Sequence, residues 1–485
     1  MPRADYDLSP FGQEHFGNAD LGHCWRTASL VDQANRLVRH PRGALPEKVH
    51  DPNALRRLYD LMNTKAVTHA AVLKPSVQRT AALVLQQRGV VLELHDSTEL
   101  DFSGHTSIHD QVGQIGNGHG RGYLCHNSLA VLPSRQVLGL LGQYLHVRAD
   151  VPKDETAAQR REREDRESRL WLHGAEAAQQ AVQEACGRQG PSELPEGLLR
   201  VDVCDRGGDP FEFLDYEDRL GRHYVVRSNH NRSIYIGHDG KEAEKILLHD
   251  YLRTLPGQQR RTITVHGRNG QPDRQATVVI AWAAVRLPPP QPPRGHFRKQ
   301  ILQVWALRVW EEHPPAGVEA VDWYLLSNVA VATVAEAWER VDWYTCRWII
   351  EEYHKAQKTG CDIEGPQFET VAALQPMIAL LSVVAVSLLD LRDRSRDPAR
   401  QDEPATTVVP PEEVEVLSGW RYGQRRLLSV REFFMALARL GGHQNRRCDH
   451  PPGWLVLWRG WQALQLMVAG ARAVARPRST EPPGP

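Results

Sequence analysis

The sequence contains few cysteines, and none of them has metal-ligand spacing. Its 485 residues include seven cysteines, which are scattered, odd in number and never spaced Cys-x-x-Cys. This distribution argues against a disulfide framework and against a zinc site. The N-terminus also lacks a basic patch followed by an apolar stretch, as a secretory signal would have. We therefore expect a cytoplasmic protein in a reducing compartment.

Long hydrophobic runs are lacking as well. The longest apolar stretch, Met377 to Leu391, contains Ser382, Ser387 and Asp390, and it is shorter than the roughly 20 residues that span a bilayer. We expect a buried helix here and no membrane partner. Charged residues make up 24% and hydrophobic residues 41% of the chain, which is typical of soluble, core-forming proteins.

An overall excess of positive charge is missing, since Lys+Arg and Asp+Glu both number 59. Charge is nevertheless uneven along the chain. Between residues 21 and 80, ten Lys or Arg stand against four Asp or Glu, a net charge of +6. A solvated surface is the simpler interpretation of such a cluster, whereas phosphate contacts would explain it in a DNA-binding protein. The candidate contacts are Arg26, Arg36, Arg39, Arg56 and Arg57.

Hydrophobic periodicity predicts an α/β protein of the mixed α+β type. Apolar residues recur at helical spacing before residue 80, whereas alternating residues predict strands from Val90 onward. A long helix is predicted over Val334 to Lys358. The predicted regions are a helical domain at 1–80, an α/β core at 81–395 with a β insertion at about 229–322, a linker at 396–416, and a C-terminal helical domain at 417–485 that ends in a loose tail.

Three acids stand where a metal-dependent phosphoryl-transfer site would need them. Asp96 and Asp205 each follow a predicted strand, and Glu351 lies on the long predicted helix. Two Mg²⁺ ions about 4 Å apart need carboxylates that converge from separate elements. For either aspartate alone, however, a turn or a helix cap is the simpler explanation.

The predicted helix gives a more specific pattern. Tyr344, Arg347, Glu351 and Lys358 fall at offsets of zero, three, seven and fourteen, within an arc of roughly 60° at about 100° per residue. One face would then present a phenol, a guanidinium, a carboxylate and an ammonium. Such a face suits a metal ligand flanked by groups that hold phosphate oxygens. A surface ion-pair ladder is the alternative.

These four residues match a known signature. The run from Tyr344 to Lys358 resembles the Tyr-x2-Arg-x3-Glu-x6-Lys motif of bacterial cut-and-paste transposases of the insertion-sequence-four type. The resemblance extends to the residues around Asp96 and Asp205, and it runs from about Arg26 to Leu466. One departure is Gly207-Gly208, where similar proteins carry an acid and a small residue.

The resemblance implies a fold, a cofactor and partners. It implies a ribonuclease-H-like core flanked by helical domains, with Asp96, Asp205 and Glu351 as catalytic ligands of two Mg²⁺ ions, for which Mn²⁺ would substitute. It also implies binding to double-stranded DNA, namely the terminal inverted repeats of a transposon and its target. The expected DNA contacts in the core are Tyr344, Arg347, Lys358, Trp323, Arg227 and Lys355.

Trp323 is expected to take part in base flipping during a hairpin step, because it precedes Tyr344 by 21 positions, a spacing similar to that in the family. A core tryptophan is the alternative.

A homodimer is expected through the C-terminal helices, where apolar residues recur at helical spacing. A core within the chain would explain the same spacing equally well. These residues are Trp454, Leu457, Trp461, Leu464 and Met467.

Two other functions remain open from the sequence. A catalytically idle DNA-binding regulator would need the basic helical domain and not the acids. A metal-dependent nuclease or Holliday-junction resolvase would need the acids and not the flanking helices. Neither alternative uses all of the observed motifs, and the transposase does.

Overall fold

The protein has mixed α/β architecture in a computed structural model, in which one mixed sheet is accompanied by many helices. The residues that the structure describes are 10–116, 119–149, 156, 159, 163–187, 195–236, 244–265, 274–291, 297–396, 399–446, 449 and 452–475. The predicted loose tail after Ala475 lies outside these residues.

The helices begin where the sequence supplies capping groups. Thr333 accepts a hydrogen bond from the backbone N–H of Glu336 and receives a reciprocal cap from that residue's carboxylate, and Ser429 forms the same box with Glu432. Such boxes satisfy backbone donors that a helix start leaves unpaired. The described helices are α1 (Pro10–Phe16), α2 (Cys24–Arg39), α3 (Leu45–Val49), α4 (Pro52–Met62), α5 (His69–Leu85), α6 (Leu170–Cys186), α7 (Phe211–Arg219), α8 (Leu248–Thr254), α9 (Val334–Thr345), α10 (Trp348–Lys355), α11 (Val371–Arg396), α12 (Pro411–Tyr422), α13 (Val430–Leu440) and α14 (Trp454–Ala475).

Every strand predicted from alternation is present, with small shifts at the ends. The described strands are β1 (Gly89–Asp101), β2 (Gly113–Ile115), β3 (Gly120–Val131), β4 (Val137–His146), β5 (Leu198–Cys204), β6 (His223–Arg227), β7 (Ser233–Ile236), β8 (Glu244–Leu247), β9 (Gln259–Val265), β10 (Arg274–Leu287), β11 (Leu302–Glu311) and β12 (Asp322–Ser327). They form one sheet in the order β2-β3-β1-β5-β6-β12-β11-β10-β7-β8, with β4 on β3 and β9 on β10.

Strand directions divide the sheet into a parallel centre and antiparallel flanks. β1 runs parallel to β5, and β5 runs parallel to β6. β3 pairs with β4 antiparallel, and β6, β12, β11 and β10 follow each other antiparallel. The carboxyl ends of the parallel strands therefore lie along the same edge of the sheet.

Contacts group the chain into two compact units. The first comprises residues 1–79, 100–112 and 352–485, and the second comprises residues 80–99 and 113–351. Helices from both chain ends therefore belong to one unit, where the sequence predicted separate N- and C-terminal domains. The predicted linker at 396–416 already contains the start of α12 at Pro411.

The first unit has α11 in its core. Ile378, Leu380, Leu381 and Leu389 are fully buried on this helix, as predicted for the apolar stretch. Among the described residues, Val371–Ser395 is the one helix long and apolar enough to cross a membrane, and 78% of its most apolar window is buried inside the protein. Such burial is typical of a core helix that is apolar on all sides.

The apolar stripe on α14 belongs to the intrachain core. Leu457, Trp461 and Leu464 are buried, and the Trp461 indole N–H donates to the carbonyl oxygen of Arg39 at 2.7 Å. These three side chains therefore pack within the first unit. The expected homodimer through the C-terminal helices stays a prediction.

Leu464→Ala should lower the free energy of unfolding by roughly 2–5 kcal/mol, because the substitution leaves a cavity in the core. Leu466→Ala is a matched control on the same helix: Leu466 is 65% exposed, and the loss should be about 0.5 kcal/mol or less. Urea unfolding followed by circular dichroism measures both. Equal effects of the two substitutions would contradict the described packing of α14.

Candidate active site

Asp96 lies in the carboxyl half of β1. The strand does not end at Asp96, as the sequence predicted, but continues to Asp101. In the parallel register His95 stands opposite Cys204, so the residues that follow them, Asp96 and Asp205, come at the same level of neighbouring strands. Successive side chains alternate between the faces of a strand. Asp96 therefore faces away from the side on which His95 lies.

Asp205 follows β5 directly, as predicted. It caps the short 3₁₀ turn Arg206–Gly208, and its Oδ1 accepts a hydrogen bond from the backbone N–H of Gly207 at 2.9 Å. The cap was the simpler explanation of this aspartate, and it is present. Because a carboxylate has two oxygens and about four acceptor positions, the cap fixes the orientation of Asp205 while leaving capacity for a metal ligand.

Arg347 connects two of the three acids. Its Nη2 donates to Oε1 of Glu351 at 2.7 Å and its Nη1 to Oδ2 of Asp96 at 3.4 Å. The Arg347 side chain is almost entirely buried, with 5% of the residue exposed. One guanidinium therefore holds an acid from β1 and an acid from α10 on its two nitrogens, inside the second unit.

The charges of the three acids act on one another. Burial raises the pKa of Asp96 to about 7, and repulsion from Asp205 and, to a smaller extent, Glu351 adds to this rise. Arg347 and the backbone N–H of Ser97 lower the pKa of Asp96, but they do not cancel the rise. The carboxylates of Asp205 and Glu351 therefore lie close enough to Asp96 to act on its charge.

Trp323 of β12 contacts Tyr344, whose ring in turn lies near Arg347. Its ring meets the ring of Tyr344 at a centroid distance of 5.6 Å and an interplanar angle of 64°, and the Arg347 guanidinium carbon lies 5.8 Å from the Tyr344 centroid. Tyr344 is only 2% exposed, so a contact with phosphate would require this ring to become accessible. Arg227 is half-buried on β6, opposite Leu325 of β12.

The continuous helix predicted from Tyr344 to Lys358 is wrong. α9 ends at Thr345. After it, hydrogen bonds close three-residue turns: the N–H of Arg347 donates to the carbonyl oxygen of Tyr344 at 3.0 Å, and the N–H of Ile350 donates to the carbonyl oxygen of Arg347 at 3.1 Å. Three-residue turns change the direction of the side chains that follow. The four signature residues therefore do not lie on one continuous helix, although Arg347 contacts Glu351 and lies 5.8 Å from the Tyr344 ring centroid.

The two signature-region lysines belong to the first unit. Lys358 lies in the π-helical segment Ala356–Gly360 and pairs with Glu364 at 3.3 Å. Lys355 pairs with Glu352 at 2.6 Å on the surface. Both lysines are thus paired with acids of their own unit, and their predicted DNA contacts remain predictions.

Gly207, where similar proteins carry an acid, has a steric explanation. A Cβ on Gly207 would come within 2.1 Å of the Trp171 ring. The indole therefore fills the space that a side chain at position 207 would need, and any larger residue would have to displace it. Trp171 also contacts the ring of His126 at 5.4 Å, so this wall next to Asp205 is aromatic rather than acidic.

The arginines of the first unit that were predicted to contact DNA differ in the partners that they have within the protein. Arg36 and Arg57 both contact Asp32, at 3.0 Å and 3.7 Å, and Arg26 donates to a backbone carbonyl at 2.9 Å. Arg56 is exposed on α4. The net positive charge of this region is thus partly compensated by local pairs, and its DNA-binding role remains a prediction.

Sequence analysis missed a buried charged layer on the other face of β1 and β5. Glu93 and His95 are fully buried there with Asp202, and Arg200 is nearly so. The signal was present: Glu93 and His95 occupy alternate positions beside the apolar residues Leu92 and Leu94 of β1, and Arg200 and Asp202 alternate with apolar residues of β5. Alternating polar residues in a buried strand indicate a polar interior on that face.

A cavity of about 1300 Å³ opens elsewhere in the second unit. Its described lining includes Arg148, Glu167, Arg166 and Glu212, and it does not include the three acids. The arginines are neutralised by neighbouring carboxylates, since Arg148 binds Glu167 at 2.5 Å and Arg166 contacts Glu212. The cavity is therefore a feature separate from the acid cluster.

No protein-family model matches the chain. The interpretation of the acid cluster therefore depends on the signature in the sequence and on the geometry of Asp96, Asp205, Glu351 and Arg347.

Asp96→Asn should stabilise the metal-free protein at pH 8. The folded-state pKa of about 7 lies above the ordinary aspartate value of 3.8, so the folded state retains a proton that the unfolded state has released. The free energy of unfolding therefore falls as pH rises from about 4 to 7. The neutral amide removes this loss. Melting temperatures in EDTA should favour the variant at pH 8 and converge near pH 4.

Asp250→Asn provides the control for that measurement, because Asp250 is an exposed residue of the same unit. Its melting curve should follow that of the wild-type protein across the pH range. A variant Asp96→Asn that is less stable than wild type at pH 8 would show that the ionised carboxylate is not strained by its neighbours.

Proposed function

We propose that this protein is a DNA transposase that cuts and joins DNA by metal-dependent phosphoryl transfer at Asp96, Asp205 and Glu351. The observation that carries the proposal is that Arg347 hydrogen-bonds Asp96 of β1 and Glu351 of α10, while Asp205 at the end of β5 is near enough to raise the pKa of Asp96. The signature in the sequence supplies the reaction class. The reaction would comprise nicking of the transposon ends, hairpin formation and resolution, and strand transfer.

A ribonuclease-H-like core is part of this proposal. The order β4-β3-β1-β5-β6, with β1, β5 and β6 parallel and β3 antiparallel to β4, supports that fold. The strands β7 to β11 between Ser228 and Asp322 support the expected insertion, which also contains the helix α8. The adjacent parallel strands bring Asp96 and Asp205 to one edge.

The residues present fit divalent magnesium. Asp96, Asp205 and Glu351 would hold it, because carboxylate oxygens are the hard ligands that Mg²⁺ prefers. Burial and repulsion from Asp205 and Glu351 raise the pKa of Asp96, and a cation bound here would favour its ionised form. Bound Mg²⁺ or Mn²⁺ would supply charge stabilisation at the phosphate and an acidified nucleophile.

Arg347 has a defined role in this scheme. Its buried guanidinium holds Asp96 and Glu351 together before substrate arrives, because each nitrogen already donates to one carboxylate. A planar guanidinium with several donors can also donate to a phosphate oxygen. Arg347 would thus preorganise the acids and contribute positive charge where phosphate charge develops.

Glu351→Gln and Asp205→Asn should each reduce Mg²⁺-dependent cleavage by at least about a thousandfold, while DNA binding is retained. The substrate is linear DNA carrying the ends of the element that encodes the chain. Glu339→Gln, at an exposed acid of α9, is the control and should cleave normally.

The products of the same reaction separate the candidate functions. Joined products support the transposase, cleavage without joining supports a nuclease, and binding without either supports a regulator. Wild-type cleavage by Glu351→Gln would disprove the assignment of the acid cluster. Loss of cleavage by all variants, including Glu339→Gln, would indicate general misfolding instead.

Trp323→Ala should slow hairpin formation about tenfold and leave the first nick nearly unchanged. Stacking of a base on an aromatic ring is worth roughly 1–3 kcal/mol, and a tight hairpin needs a base extruded from the duplex. Denaturing gels of end-labelled DNA resolve the two steps. Trp310→Ala, on the neighbouring strand β11, is the control, and equal losses of nick and hairpin in Trp323→Ala would contradict this role.

A further inference from the structure

The charged layer behind Asp96 joins three strands through direct hydrogen bonds. Arg200 donates to both oxygens of Glu93, at 2.5 Å and 3.0 Å. Arg222 contacts Glu93, Asp202 and Glu217. These groups are almost completely buried. In a low-dielectric interior such a network is rigid when every member is satisfied, and breaking it is costly.

His95 occupies the end of this layer next to Asp96. Its Nε2 lies 2.6 Å from Oδ1 of Asp202 on β5, and its Nδ1 lies 2.9 Å from the hydroxyl of Ser128 on β3. An ionised carboxylate only accepts hydrogen bonds, so Nε2 donates to it, and in the neutral ring Nδ1 accepts from Ser128. His95 therefore connects β1 to both neighbouring strands.

The packing above His95 leaves its ring little freedom. A Cβ on Gly174 of α6 would lie 2.8 Å from Nδ1 of His95 and 2.5 Å from Nε2 of His126. The helix backbone thus passes directly over both imidazoles. Ser97 adds a further link, since its hydroxyl lies 2.9 Å from Nδ1 of His126 on β3. The residues on both sides of Asp96 are therefore held to β3.

The layer is not itself arranged to bind a metal. Ligand atoms of Glu93, His95 and Asp202 lie within 4.8 Å of one another. However, both Glu93 oxygens accept from Arg200, and Asp202 accepts from His95 and contacts Arg222. A cation here would compete with two guanidinium groups. The layer is better explained as a support for neighbouring residues.

We infer that His95 is a positioning residue: its hydrogen bonds to Asp202 and Ser128 fix β1 against β5 and β3, and so fix the metal-binding carboxylate of Asp96 on the opposite face. The inference rests on the proposed function of Asp96. Because the two residues are adjacent, a tilt of the strand at His95 moves the Asp96 carboxylate directly. Supporting partners of metal ligands commonly change metal affinity by about 10–100-fold.

Two amide substitutions test this role without introducing a charge. His95→Gln retains a donor for Asp202 and an acceptor for Ser128 at similar reach, whereas His95→Asn is one methylene shorter and can satisfy only one of them. The Mn²⁺ dissociation constant of the purified full-length chain should rise about tenfold or more in His95→Asn. His95→Gln should restore it to within about threefold of wild type. Electron paramagnetic resonance of free Mn²⁺ measures both.

Melting in EDTA separates positioning from folding. His146→Asn, at another buried histidine of the second unit on β4, controls for the loss of an imidazole and should leave Mn²⁺ affinity unchanged. A folded His95→Asn protein with wild-type affinity would overturn the inference, and so would a His95→Gln protein as weak as His95→Asn.

The wild-type chain distinguishes this inference from the proposed function. Wild-type Mn²⁺ binding and DNA cleavage, with unchanged affinity in His95→Asn, would leave the transposase in place and remove only the role of His95. A wild-type chain that neither binds Mn²⁺ nor cleaves DNA would remove the metal site, and the inference would fall with it.

Discussion

The parallel pairing of β1 with β5 is the constraint on which the rest of the site depends. It sets Glu93 opposite Asp202 and His95 opposite Cys204, and so determines the two faces of the sheet at once. On one face the buried charges can satisfy one another, and on the other Asp96 and Asp205 emerge side by side. A shift of one residue in this register would turn the charges to the wrong faces.

The acid cluster combines attraction and repulsion. Arg347 holds Asp96 and Glu351, whereas burial and neighbouring carboxylates keep the pKa of Asp96 near 7. One buried guanidinium does not neutralise three acids. The cluster therefore keeps an excess of negative charge, which agrees with the proposed site for divalent cations. Because this charge is present before a metal binds, other residues have to hold the acids in position.

The two faces of β1 have different roles: one carries the supporting hydrogen bonds, and the other carries Asp96. His95 and Ser97 are held to β3 by Ser128 and His126, and the residue between them carries the proposed metal ligand. Aromatic residues close the neighbouring space, with Trp171 over Gly207 and Trp323 against Tyr344. The site is therefore built from a rigid polar support, an acidic edge and an aromatic surround.

The sequence by itself determined the strands, the apolar core helix and the candidate acids, because alternation, hydrophobic runs and the signature are local properties of the chain. Only the tertiary structure decided that the helix breaks before Arg347, that the α14 stripe is buried within one chain, and that His95 contacts Asp202. The last two depend on residues distant in sequence: the partner of Trp461 is Arg39, and that of His95 lies 107 residues away. Periodicity shows which side of a helix or strand is apolar, but it does not show which residues pack against that side.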